Sequence, residues 1–272
     1  KIDIRKIGLI LQTTLPLAVI ILAGSIMANI DIFMLGVWKT PKDIGLYAVA
    51  QRFYQFIIII PSVISTATFP ILSRLTESYE NTRLTSALEK TLAFIMMLGM
   101  PISIGGIVLA NQIVPFVFGV EYIDAVPLLQ ILMLMLLVSF PIMIMSNTIF
   151  SYNKQKNLAT AYMFGIIVNV LVNILLIPPL GATGAAIATL ISTTSMTFII
   201  WRKMKTISNF KILPKLKTIF FVTIFMTLLT LTLKYLGINV ILNIMVSALV
   251  YLMLLILFKE STLMEIRELI HV

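Results

Sequence analysis

The chain has 272 residues, of which 60% are hydrophobic and only 11% charged, 20 basic against 11 acidic. A water-exposed surface carries roughly a quarter of its residues charged, so most of this surface must face lipid and a soluble enzyme is excluded. Cysteine is absent and the one histidine, His271, stands next to the C-terminal residue, which removes disulfides, thiolate metal sites and most zinc or hydrolytic chemistry. No GxxxxGK, GxGxxG or HExxH pattern offers a nucleotide site or an activated water; neither catalytic residues nor an organic cofactor are expected.

A hydrocarbon core about 30 Å thick needs about 20 apolar residues of helix. Eight runs of that kind follow one another, near 10–38, 45–71, 91–112, 126–150, 159–178, 184–201, 218–236 and 239–258. The fold class is therefore an all-α integral membrane protein with eight transmembrane helices. Sixteen of the 20 basic residues fall in the two ends and every second connection, from Lys1, Arg5 and Lys6 to Lys259 and Arg267, whereas Lys39, Lys42 and Lys234 alone lie on the other side. The positive-inside rule then places both termini in the cytoplasm of a multi-pass cell-membrane protein, and the net charge of +9 reflects topology and contact with anionic membrane lipids, not nucleic acid.

In chain order, span one carries Asp31 and span two Arg52, the two charges well inside predicted spans. Such residues cost about 2.5–3.5 kcal/mol on insertion scales and face a partner or a wet cavity. Arg52 has the planar fork that grips a phosphate bidentately, and Gln51 and Gln55, at i and i+4, offer bonds to sugar hydroxyls; the alternative is an arginine reaching back to the outer headgroups. The segment from Arg74 to Lys90 spaces its charges helically, as an interfacial helix would. Asn169 and Asn173 share one face of span five, and Thr189 lies on span six. By helical rise, Asp31, Asn173 and Thr189 stand about 10, 7 and 9 Å below the same end of their helices. Four oxygen-bearing side chains from three helices at one depth suit a small hard cation such as Na⁺, with the Ala185 carbonyl as a further ligand. The competing reading pairs Asp31 with Arg52 and leaves the asparagines as helix-to-helix glue. Between spans five and six, Pro178, Pro179, Gly181 and Gly184 form a tight reversal, and Gly184, Ala185, Ala186, Ala188 and Ser192 give span six a small-residue face for close packing. The segment from Arg202 to Lys217 has six basic residues and no acid, which fits an anchor on the inner membrane surface.

Three stretches carry a family resemblance. Residues 153–192 (NKQKNLATAYMFGIIVNVLVNILLIPPLGATGAAIATLIS), 31–36 with 44–50 (DIFMLG, IGLYAVA) and 118–132 (FGVEYIDAVPLLQIL) resemble the C-terminal half of the polysaccharide flippases of the MATE-like MOP superfamily, exporters of lipid-linked oligosaccharides. The resemblance implies a six-helix C-terminal lobe of MATE-like fold over 1–205, with two additional transmembrane helices and a cytoplasmic tail over 206–272. It also implies an N-terminal lobe missing from this chain, a lipid-linked oligosaccharide as partner, and Na⁺ or H⁺ coupling through the lobe; where some relatives place an acid on the fifth helix, Asn173 is neutral. The function expected is flipping of a polyprenyl-linked oligosaccharide from the inner to the outer leaflet by alternating access. A MATE-type cation-coupled multidrug exporter is the alternative, with a membrane glycosyltransferase or polymerase and a non-transporting scaffold behind it.

Overall fold

The computed structural model describes residues 4–77 and 81–260, so Lys1, Arg267, His271 and most of the expected tail lie outside the described residues. Eight α-helices, each long and apolar enough to cross a membrane, account for nearly all of it: α1 (Ile4–Trp38), α2 (Pro41–Glu77), α3 (Asn81–Phe118), α4 (Val126–Ser151), α5 (Gln155–Leu180), α6 (Ala182–Lys205), α7 (Leu213–Tyr235) and α8 (Val240–Leu257), with a short 3₁₀ turn at Val120–Ala125 before α4. This is the solution lipid enforces, because a helix satisfies its own backbone where no water can.

The helices form a continuous series of neighbours, α1 on α5, α5 on α6, α6 on α4, α4 on α2 and α3, α3 on α7, and α7 on α8. α4 lies at the centre. It is apolar on every side, and Leu129, Met133, Leu136, Phe140, Met145 and Ile149 are all sealed from solvent. Sparse polar contacts fix the register: Tyr54 of α2 donates to Ser139 Oγ of α4 at 2.8 Å, and Asn147 of α4 donates to Ser65 Oγ of α2 at 2.7 Å. On α3, Pro101 has no N–H to give the carbonyl of Met97, and the Tyr251 hydroxyl of α8 donates to that oxygen instead, at 2.8 Å.

The charged segment Arg74–Lys90 is not a separate interfacial helix. α2 runs on to Glu77 and α3 begins at Asn81, because buried Leu72, Leu84, Leu88 and Leu92 extend the apolar packing faces of both helices through the charged segment. The basic connection between α6 and α7 is likewise held to α3: the Lys211 amide donates to Glu89 Oε1 at 2.6 Å, Thr85 and Ser208 share a hydrogen bond, and Phe210 is fully buried against Trp201.

At the opposite end the reversals are short. Thr40 and Asp43 make a capping box at the start of α2, with Pro41 between them: the Thr40 amide and hydroxyl donate to Asp43 Oδ2 at 3.1 and 2.7 Å. α5 continues through Pro178 and Pro179 to Leu180, two residues beyond the sequence estimate, and reverses on Gly181 alone, whose φ of +58° favours glycine. Gly184 is needed for a different reason. A Cβ there would stand 2.2 Å from the Leu176 carbonyl oxygen, so α5 and α6 touch backbone to side at this point. The small residues after it, Ala185, Ala186, Ala188 and Ser192, are all buried, as close packing requires. Gly184→Ala should therefore destabilise the helix pair by about 1–3 kcal/mol, the range of an overpacked core. The check is the melting temperature in detergent, with Gly165→Ala as the milder control, since its Cβ would meet only methionine side chains at 3.3 Å.

Candidate functional site

Asp31 lies on α1 and is 1% exposed. Its carboxylate receives four donors. Asn173 Nδ2 donates to Oδ1 at 2.7 Å and Asn169 Nδ2 to the same oxygen at 3.2 Å, while the Tyr47 hydroxyl donates to Oδ2 at 2.6 Å and Thr189 Oγ1 makes a short bond to that oxygen. The four side chains picked out in the sequence thus converge from α1, α5 and α6. Asn169 and Asn173 point inward together because they are one helical turn apart, and the Gly181 reversal sets Thr189 opposite them.

Tyr47 was not legible as a member of this cluster. It stands on α2, 1% exposed, and the available signal was the hairpin: Asp31 and Tyr47 are nearly equidistant from the Lys39–Thr40 turn, so antiparallel helices bring them level. The same symmetry brings Gln51 to α1, where its Nε2 donates to the Ala28 carbonyl at 2.6 Å.

The chemistry of the cluster is that of a buried anion solvated by dipoles. Hydrogen bonds to a charged group contribute about 1.5–3 kcal/mol each, and here they take the place of a counter-charge: the ion pair recorded among the described residues joins Lys42 to Asp124, not Asp31 to Arg52. The reading that pairs Asp31 with Arg52 therefore fails. One valence is left over. Asn173 Oδ1 is buried with no hydrogen-bond partner, although Asn173 Nδ2 also reaches Asn169 Oδ1 at 3.0 Å. With the Asp31 carboxylate, the hydroxyl oxygen of Thr189, and the Ala185 carbonyl 3.1 Å from Thr189 Oγ1, the site presents hard oxygen donors and no sulfur ligand, a set suited to a small alkali cation.

Arg52 stands apart from this cluster. Because α2 begins at Pro41, it lies about 16 Å below the helix start by helical rise, deeper than the sequence boundaries placed it. Its side chain is exposed and makes no recorded hydrogen bond or ion pair among the described residues. Gln55 is exposed beside it, whereas half-buried Gln51 is turned toward α1; the three do not form one uniform face. Exposed Ser25 and Asn29 on α1 add polar groups at membrane depth.

Comparison with known proteins bears on the chain as a whole. Residues 1–127, which hold Asp31, Tyr47 and Arg52, match the family described as polysaccharide biosynthesis protein. The chain is 25% identical over 171 residues to the Haloferax volcanii protein named probable low-salt glycan biosynthesis flippase Agl15, covering 63% of this chain and 36% of that one. In fold it resembles the lipid II flippase MurJ in an inward closed conformation, with a TM-score of 0.73 and 21% identity over 95% of this chain and 56% of that one. It also resembles a MOP superfamily transporter from Pyrococcus furiosus, with a TM-score of 0.62 and 15% identity over 83% of this chain and 54% of that one. The chain thus spans about a third to a little over a half of the length of the proteins it matches; over its first 127 residues it is similar to the polysaccharide biosynthesis proteins, and it has the fold of the MurJ and Pyrococcus furiosus transporter structures.

Proposed function

We propose that this chain is the C-terminal half of a transporter that flips a polyprenyl-linked oligosaccharide from the inner to the outer leaflet by alternating access, with a second lobe opposite the face of α1 and α2. The observation that carries this reading is Arg52, an exposed arginine near mid-membrane depth with no protein partner among the described residues. A cation in that position costs about 2.5–3.5 kcal/mol against lipid tails, so its face opposes water or ligand, and a pyrophosphate is the group its fork fits best. Gln55 beside it and the free carbonyl oxygen of Gln51 supply partners for sugar hydroxyls. A multidrug exporter for cations would need an acid on the same face. The buried acid of that region, Asp31, is already satisfied inside the lobe. In the full transporter, Arg52→Lys keeps the charge and loses the fork, so glycan export should fall at least about tenfold while membrane abundance stays near normal, on the scale of a lost bidentate contact. Undiminished export in both Arg52→Lys and Arg52→Ala would overturn the assignment.

Coupling to a small cation, Na⁺ in the first instance, is assigned to Asp31, Asn169, Asn173 and Thr189, supported by the unpartnered Asn173 oxygen and the all-oxygen donor set. NaCl should raise the melting temperature of the purified transporter relative to choline chloride at equal ionic strength, because a ligand stabilises only the state that binds it. Asp31→Asn should abolish that shift and Arg52→Ala should preserve it; a flat NaCl titration of the unaltered protein would end the reading.

The end bearing Lys154, Arg202 and Lys217 is taken as cytoplasmic from the basic-residue bias. The chain has no native cysteine, so single substitutions report cleanly. An impermeant thiol reagent applied to intact cells should label Lys42→Cys and spare Lys154→Cys, and the reverse pattern would invert the topology.

A further inference from the structure

Two hydrogen bonds join α2 directly to α1 within the lobe, from Tyr47 Oη to Asp31 and from Gln51 to the Ala28 carbonyl. The first has a property that the other contacts of the cluster lack. Asn169 and Asn173 can offer either end of their amides, exchanging NH₂ for oxygen by half a turn about χ2, and Thr189 can swing its one proton from Asp31 to the Ala185 carbonyl 3.1 Å away. These three can receive a cation without leaving their places. Tyr47 has no recorded acceptor other than Asp31 and the Thr189 hydroxyl at 3.4 Å, so its proton points into the space that a cation on Oδ2 would occupy.

We propose that Tyr47 couples occupancy of the Asp31 cluster to α2: its hydroxyl holds α2 on Asp31 while no cation is bound, and a cation on that carboxylate takes its place and releases α2 with Gln51 and Arg52. This rests on the cation reading above. The geometry behind it is that Tyr47, Gln51 and Arg52 follow one another within about 8 Å of helix, so a displacement of the ring is passed directly to the residues assigned to the substrate. Ion and substrate thereby compete for, or cooperate through, one helix, and no long relay is required.

The test uses the full transporter in detergent and in liposomes, with NaCl against choline chloride. Tyr47→Phe removes the competing donor and keeps the ring. Its apparent Na⁺ affinity should rise about tenfold, the equivalent of one hydrogen bond to a charged group. A single cysteine at Phe56, which is 71% exposed and one turn beyond Arg52, should change its rate of labelling by a hydrophilic maleimide when Na⁺ is added, and Tyr47→Phe should hold that rate at the Na⁺-bound value in either salt. Tyr54→Phe, on the same helix as Tyr47, loses a hydroxyl bonded to Ser139 of α4 and should leave both readouts unchanged. Unaltered Na⁺ affinity in Tyr47→Phe overturns the proposal, and a fall in affinity overturns it by making Tyr47 a ligand. Should that variant not fold, Na⁺-independent labelling of Phe56→Cys in the otherwise unaltered protein overturns it alone. In each of these cases the cation reading stands or falls separately, on whether NaCl stabilises the unaltered protein.

Discussion

A polar group inside a bilayer has no water to turn to, and this lobe is organised by how each such group finds its partner. Asp31 is the extreme case. Its carboxylate draws donors from α2, α5 and α6, so one side chain on α1 defines where four helices meet. Elsewhere the same rule works on backbone oxygens: Lys39 donates to the Pro178 carbonyl at 2.9 Å, at the end of a helix whose next residues cannot supply an amide in register, and a lysine there also meets the negative end of the α5 dipole. Apolar packing then fills the space between these fixed points, with α4 at its centre tied to α2 through Ser139 and Asn147.

The eight spans were legible because lipid imposes a length, and length is a one-dimensional property that a sequence displays openly. The ends of the spans were not. Nothing in the Arg74–Lys90 charges reveals that Leu84 and Leu88 are buried against the other helices and carry the helix through the charged segment. The site was partly legible for a related reason. Depth along a helix can be counted from its end, which brought Asp31, Asn169, Asn173 and Thr189 to one level; azimuth cannot be counted without knowing the neighbours, so Tyr47 escaped notice and Gln51 was assigned to the same face as Gln55. Arg52 shows the limit of counting itself, since a capping box at Thr40 starts its helix four residues earlier than hydropathy suggested.

The single-residue reversal at Gly181 and the backbone contact at Gly184 make α5 and α6 one stiff unit, so Asn169, Asn173 and Thr189 keep a fixed relation to one another. α1 and α2 meet each other lightly by comparison. A cluster with three of its members on that rigid pair can change state only through Asp31 on α1 and Tyr47 on α2, and the substrate residues assigned above stand on α2.

The attachment of α7 and α8 follows a different logic. Tyr251 donates to the carbonyl of Met97, Lys234 to that of Val108 at 2.7 Å, and Gln112 of α3 to the carbonyl of Ile238 at 3.4 Å, so the polar ties of the pair run to α3, and between its own two helices Thr230, Asn243 and Ser247 close a small network. Such a pair is carried as an outrigger. It widens the perimeter presented to lipid without adding a contact to the Asp31 cluster, and sequence drift along its lipid-facing side can retune the protein to bilayers of different thickness while the hydrogen bonds around Asp31 stay as they were.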